Sequence, residues 1–100
     1  MNVSVDLCVI PLGVGLSLSK YIAECEKVLA KFDINCQLHA YGTNIEGEWD
    51  TVFKAIKACH EQLHELGVLR LHTSIKCGTR TDRLQRLDDK VESVKKLLDE

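Results

Sequence analysis

Four segments that alternate apolar with polar residues, two that repeat apolar residues at steps of three and four, and a short glycine-containing connection mid-chain predict an α+β sandwich. In chain order they read strand, helix, strand, strand, helix, strand, and a third helix follows them. With right-handed crossovers, the first six close into the ferredoxin-like βαββαβ arrangement, a four-stranded antiparallel sheet of order 4-1-3-2 with two helices on one face. The C-terminal helix is an addition to that plan. Residues 1–100 make a single domain.

The first strand is expected over Asn2–Ile10, where Val3, Val5, Leu7 and Val9 alternate with Ser4, Asp6, Cys8 and Ile10. Pro11, which has no ladder donor, and the glycines Gly13 and Gly15 are expected to break it. A glycine-rich loop before a helix could cradle an anion, but it lacks the G-x-G-x-x-G spacing and reads more simply as a connector. Ser17 or Ser19 is the candidate cap of a first helix reaching about Lys31, with the stripe Leu18, Tyr21, Ile22, Cys25, Val28, Leu29 and Phe32. Cys36–Tyr41 alternates as the second strand, and after a turn at Gly42 the third runs over Thr43–Glu48.

Asp50 is the cap or first-turn acid of a second helix whose stripe is Trp49, Val52, Phe53, Ile56, Cys59, Leu63 and Leu66, with Gly67 closing it. In Val68–Cys77, the fourth strand, Leu69, Leu71, Thr73 and Ile75 alternate with Arg70, His72, Ser74 and Lys76. A polar turn over Gly78–Arg83 precedes the last helix, marked by Leu87, Val91, Val94 and Leu98. Gly42 and Gly47 bracket a short strand carrying Glu46, so that segment is fixed at its ends by positive φ or close backbone approach. A sheet-face carboxylate needs a partner if it is buried, and the partner of Glu46 is therefore the informative one.

Composition narrows the classes of function. A hydrophobic fraction of 45% and a charged fraction of 28% are ordinary for a globular domain, and a net charge of −2 gives no footprint for nucleic acid. No apolar run approaches the roughly 18 residues of a membrane span, and the first residues alternate like a strand instead of forming a signal peptide. A cytoplasmic location is expected. The five cysteines, Cys8, Cys25, Cys36, Cys59 and Cys77, are odd in number and contain no C-x-x-C, so they read as reduced thiols. A domain this small gains stability by self-association, and its last helix finds little monomer surface to cover.

The candidate chemistry is sparse. His60-Glu61-Gln62-Leu63-His64 matches the H-E-x-x-H of zinc peptidases, whose histidines share a helix face. Here His60 falls in the apolar stripe and the helix ends at Gly67 without a third ligand, so a core-edge histidine is the better reading. Cys77 lies near Lys76 and Arg80, but no spacing pairs it with a histidine base. The outer sheet face is more informative. Asp6, Glu46, Arg70, His72 and Lys76 are expected to meet there, either as a self-satisfied ionic network or as a pocket in which Glu46 accepts from an amino-heterocycle.

The runs Val9-Ile10-Pro11-Leu12-Gly13, Gly42-Thr43-Asn44-Ile45-Glu46-Gly47-Glu48-Trp49-Asp50, His72-Thr73-Ser74-Ile75-Lys76 and Asp89-Lys90-Val91-Glu92-Ser93-Val94 together resemble the small thiamine-binding protein family. Gly78-Thr79-Arg80-Thr81-Asp82 resembles the version in its fungal members. The resemblance implies a ferredoxin-like fold, a dimer-of-dimers tetramer, no catalysis and no cofactor. It also implies that thiamine or its hydroxymethylpyrimidine part binds near subunit contacts, with Thr43-x-Ile45-Glu46-Gly47 forming the pocket.

On this reading the ligand-binding set is Thr43, Asn44, Glu46, Trp49 and Lys76. Glu46 takes the aminopyrimidine, and Trp49 or Tyr41 offers an aromatic face to the thiazolium cation, although a tryptophan opening such a helix is more often core. Arg80, Arg83 and Lys90 are either a solvated surface or the receiver of a phosphate on a phosphorylated thiamine. The competing reading is a structural or protein-interaction module whose polar sheet face is an assembly interface without a small ligand.

Overall fold

The computed structural model describes residues 1–100 and carries the elements in the expected order. They are β1 (Asn2–Leu12), α1 (Ser19–Leu29), β2 (Asn35–His39), β3 (Gly42–Glu48), α2 (Trp49–Glu65), β4 (Arg70–Gly78) and α3 (Leu87–Leu98). The sheet runs β2-β3-β1-β4 with every neighbouring pair antiparallel, so the ferredoxin-like topology predicted from the periodicities is the one observed.

The core lies between the sheet and the α1/α2 layer. Val3, Val5, Leu7 and Ile45 point into it from the two central strands, and Leu29, Val52, Ala55, Cys59 and Leu63 meet them from the helices. This is the arithmetic of the two periods: every second residue of β1 and every third or fourth residue of the helices faces one apolar layer. The opposite sheet face has no such layer over it and keeps its polar side chains.

Several boundaries differ from expectation for identifiable reasons. Pro11 does not end β1, which continues to Leu12. Beyond Leu7 the strand pairs only with β4, so it has a free edge on the β3 side, where a residue without an N–H is tolerated. Neither Ser17 nor Ser19 caps α1: Leu18 holds the N-cap position without a side-chain bond, and its carbonyl accepts from Tyr21 and Ile22. Asp50 sits in the first turn of α2, while Glu48 caps that helix by accepting the N–H groups of Asp50 at 2.9 Å and Thr51 at 3.2 Å.

The hairpin turn falls at Ala40–Tyr41, which removes Tyr41 from the second strand and leaves it 88% exposed. Gly42 is already paired with His39. Its role is close approach, because an added Cβ would lie 2.5 Å from the Leu7 carbonyl oxygen. Gly67 closes α2 as predicted, with φ at +96° and its N–H on the His64 carbonyl.

The chain is elongated, 49 by 29 by 19 Å, because α3 stands away from the sandwich. None of its residues is buried, and Val91, Val94, Leu97 and Leu98 are 52%, 56%, 68% and 77% exposed.

Candidate functional site

Antiparallel register sets the open sheet face in rows. Asn35, Glu46, Ser4 and Gly78 form one, and Gln37, Asn44, Asp6 and Lys76 the next. The acid and base cluster expected on this face is therefore divided. Asp6, Glu46 and Lys76 are near one another, whereas His72 and Arg70 pair with Ile10 and Leu12, four and six residues along the strand from Lys76. At about 3.3 Å per residue, that places them roughly 13 and 20 Å away.

Asp6 has a partner that periodicity alone did not identify. Its Oδ1 is 2.7 Å from Nε2 of His39, whose Nδ1 accepts the Tyr41 N–H at 3.2 Å. With Nδ1 accepting, the ring proton sits on Nε2 and is donated to Asp6. The pair spans β3 at Gly42, and the missing side chain there lets the two strands share a hydrogen bond across a third.

Glu46 is the best enclosed carboxylate of the face, with a side chain 20% exposed. Its Oε2 accepts the Leu87 N–H at 2.9 Å, and its Oε1 lies 3.8 Å from Arg86 Nε. Glu46 thus anchors the start of α3 to the sheet, a position where the positive end of the helix dipole favours an anion. A carboxylate has about four lone-pair sites, so these contacts leave acceptor capacity unused.

Two openings meet at this residue. One, of about 260 Å³, lies between the sheet and the segment leading into α3, with Ser4, Asn35, Glu46, Arg80, Arg86 and Lys90 in its wall. The other, about 410 Å³ and more open, adds Gln37 and Asn44 to Glu46 and Arg86. Arg80 is held at the first opening by Asp82, which takes its Nε and, at 2.8 Å, its Nη2, while Gln85 takes its Nη1 at 2.8 Å. Those hydrogen bonds from the guanidinium pull the Asp82 carboxyl down to about 2.

The five residues expected to bind ligand are distributed over both faces. Asn44 and Glu46 stand at the openings just described, and Lys76 is exposed on the same face opposite Asp6. Thr43 points the other way, is buried, and donates its hydroxyl to Glu26 at 2.6 Å. It lines a separate, mainly apolar cavity of about 260 Å³ between α1 and the β2–β3 hairpin. Trp49 is half-buried on the helix side with its ring 4.7 Å from that of Phe53. Of the cations, Arg80 and Lys90 line the first opening and Arg83 does not. Arg86 lines both, and nothing in its local sequence pattern marks it.

His60 faces β4 as expected, its Nε2 2.6 Å from Thr73 Oγ1, and His64 Nδ1 is 2.7 Å from the Val68 carbonyl. Each histidine of the H-E-x-x-H run thus has a protein partner. Burial, and secondarily the neighbouring His64, pushes the His60 pKa below its ordinary value. Cys25 and Cys59 meet in the core, where the Cys59 thiol donates to the Cys25 carbonyl at 3.7 Å, and the neighbouring Cys25 side chain, then burial, pushes the Cys59 thiol pKa up. Cys36 and Cys77 are exposed.

Comparison with known proteins places this geometry among relatives. The family model described as "Thiamine-binding protein" matches residues 5–95. A UPF0045 protein of Synechocystis sp. is 59% identical over 99% of this chain and 82% of its own length. One of the fungus Eremothecium gossypii is 42% identical over 98% of this chain and 94% of its own, so a fungal relative is present at lower identity than the cyanobacterial one. The crystal structure of a hypothetical protein of Methanocaldococcus jannaschii superposes with a TM-score of 0.88 at 32% identity, covering 94% of this chain and 96% of that one. A Thermotoga maritima protein named for thiamine biosynthesis or salvage shares the fold at a TM-score of 0.80 and 16% identity, over 94% and 99% of the two chains.

Proposed function

Because this chain belongs to the thiamine-binding protein family, we propose that it binds thiamine or its hydroxymethylpyrimidine part, without catalysis, as a cytoplasmic homotetramer built as a dimer of dimers. The observation that carries the site is the Glu46 carboxylate, four-fifths enclosed at the junction of two openings on the open sheet face, with acceptor capacity to spare. An aminopyrimidine presents an amino donor beside its ring nitrogen, and a fixed carboxylate accepts from such a donor with charge assistance. Asn44, beside Glu46 on β3, supplies a neutral donor and acceptor, and Lys76 lies one row further along the same face. Thr43 and Trp49 contribute from the helix side by fixing β3 and the start of α2 behind the carboxylate.

The exposed stripe of Val91, Val94, Leu97 and Leu98 supports self-association, since an isolated amphipathic helix of this length is marginal in water. The same stripe favours the second reading, an assembly module without a small ligand. Calorimetric titration with thiamine and with hydroxymethylpyrimidine separates the two. Saturable binding is expected, weakened in Glu46→Gln by about 1.5–3 kcal/mol, the range for a charged hydrogen bond. Glutamine keeps an oxygen for the Leu87 N–H, so the variant removes the charge while leaving the anchor of α3 a partner. A folded tetramer that takes up neither compound removes the ligand assignment and leaves assembly.

A further inference from the structure

The wall of the smaller opening is not neutral. Glu46 is its only carboxylate, whereas Arg80, Arg86 and Lys90 bring three cations to it, in a protein whose overall charge is −2. Only two of its thirteen lining residues are hydrophobic, and the wall includes Ser4, Asn35, Thr79 and Gln85. Away from Glu46, such a surface does not suit the thiazolium end of thiamine, which is itself a cation. A site for an unphosphorylated cation would concentrate carboxylates or aromatic faces, and this one concentrates positive charge instead.

The cations are placed on separate supports. Arg80 stands just after β4, Arg86 immediately before α3, and Lys90 one turn into that helix, so they reach the opening from different points along its wall. Arg80 is oriented in advance: Asp82 and Gln85 take three of its five N–H donors, which leaves two for another acceptor. Arg86 is paired only at 3.8 Å with Glu46. The Lys90 side chain makes no hydrogen bond or ion pair within the chain, so its ammonium is uncommitted.

A phosphate monoester supplies what this arrangement lacks. It carries close to two negative charges at neutral pH and three acceptor oxygens, enough to engage three cations at once. Counting Asp82, which holds Arg80, together with Glu46, the three cations leave one net positive charge at the opening, and the two spare donors of Arg80 and the free Lys90 ammonium are what a phosphate monoester can engage. A lone carboxylate ligand would be satisfied by one bidentate arginine and would leave the other two cations without a role.

Building on the thiamine reading above, we propose that the ligand is phosphorylated: its aminopyrimidine end lies against Glu46 and its phosphate end is held by Arg80, Arg86 and Lys90. Thiamine monophosphate is the representative of this class, and the phosphate subsite distinguishes it from free thiamine.

The test compares the full-length protein's affinity for thiamine and for thiamine monophosphate, at two ionic strengths, in the wild type and in the Arg80→Gln/Lys90→Gln double variant. Both replaced side chains are exposed and outside the core, and circular dichroism confirms the fold. The monophosphate is expected to bind at least about tenfold more tightly than thiamine, the factor equivalent to 1.4 kcal/mol. That advantage should shrink with added salt and disappear in the double variant, while thiamine affinity stays within about twofold. Inorganic phosphate should compete with the monophosphate and not with thiamine. Equal affinities in the wild type, or an advantage that survives in the double variant, overturn the phosphate subsite and leave thiamine binding standing. If neither compound binds to the folded wild type, both the subsite and the thiamine reading fail together.

Discussion

Replacing Gly42 with alanine would put a methyl carbon 2.5 Å from the Leu7 carbonyl oxygen and 3.2 Å from Asp6 Oδ1. The second contact can be relieved by a side-chain rotation, at the expense of the His39 bond that Asp6 makes. The first cannot, because Leu7 is held by Thr43 on one side and Ile75 on the other, in the middle of the sheet. Opening the contact even to 3.0 Å requires β3 to shift by about 0.5 Å against a packed core, and overpacking of this kind costs about 1–3 kcal/mol. For a domain of this size each kcal/mol corresponds to roughly 4–8 °C in Tm, so a fall of about 5–20 °C is expected.

Urea titration at unchanged slope gives the free energy directly, and a thermal scan gives the shift. Gly47→Ala is the internal control. Its Cβ would meet Ile34 Cγ2 at 2.9 Å and Val52 Cγ2 at 3.3 Å, side-chain methyls that can yield by small shifts where a paired backbone carbonyl cannot, so its loss should be the smaller of the two. A Gly42→Ala loss below about 0.5 kcal/mol, the size of an ordinary surface change, would refute the argument that backbone proximity selects glycine there.

Three further outcomes follow from contacts already described. Glu48→Ala should cost about 0.5–2 kcal/mol in urea unfolding, the usual range for a lost helix cap, since the Asp50 and Thr51 N–H groups lose their acceptor; an unchanged midpoint would mean that water replaces the carboxylate fully. His60 is held neutral by burial, so its folded pKa lies below the unfolded value near 6.5 and the unfolded chain binds the extra proton first. Its contribution is therefore complete above pH 6.5 and declines as the pH falls toward the folded pKa, and His60→Gln should flatten the stability profile in that window. A thiol reagent should titrate Cys36 and Cys77 in the native protein and reach Cys25 and Cys59 only on unfolding; early labelling of Cys59 would show the core opening locally.

The order of elements was legible because apolar period is a property of the chain itself. Val3, Val5 and Leu7, or Val52, Ile56, Cys59 and Leu63, announce their own faces. What escaped was everything fixed by a partner remote in sequence. Pro11 is tolerated because β3 stops pairing at Leu7, a fact that no local pattern carries. Glu46 was identifiable as a carboxylate on a strand between two glycines, but its bond to the Leu87 N–H spans 41 residues and depends on where the last loop lands. The same holds for Arg86, which lines the opening, whereas Arg83, equally basic in sequence, does not. The side of the sheet on which Thr43 falls did follow from alternation, once the partner of Ile45 in the core is counted in steps of two.

The single anchor of α3 has a mechanical consequence. A helix of twelve residues is about 18 Å long, and this one meets the rest of the chain through Glu46 at its first turn while its apolar residues lie toward the other end. It is a lever whose fulcrum is a carboxylate. A tilt of about 10° at that fulcrum carries the far tip through roughly 3 Å, a sizeable fraction of one helical turn. The position of the exposed stripe Val91, Val94, Leu97 and Leu98 therefore hangs on how Glu46 shares its oxygens.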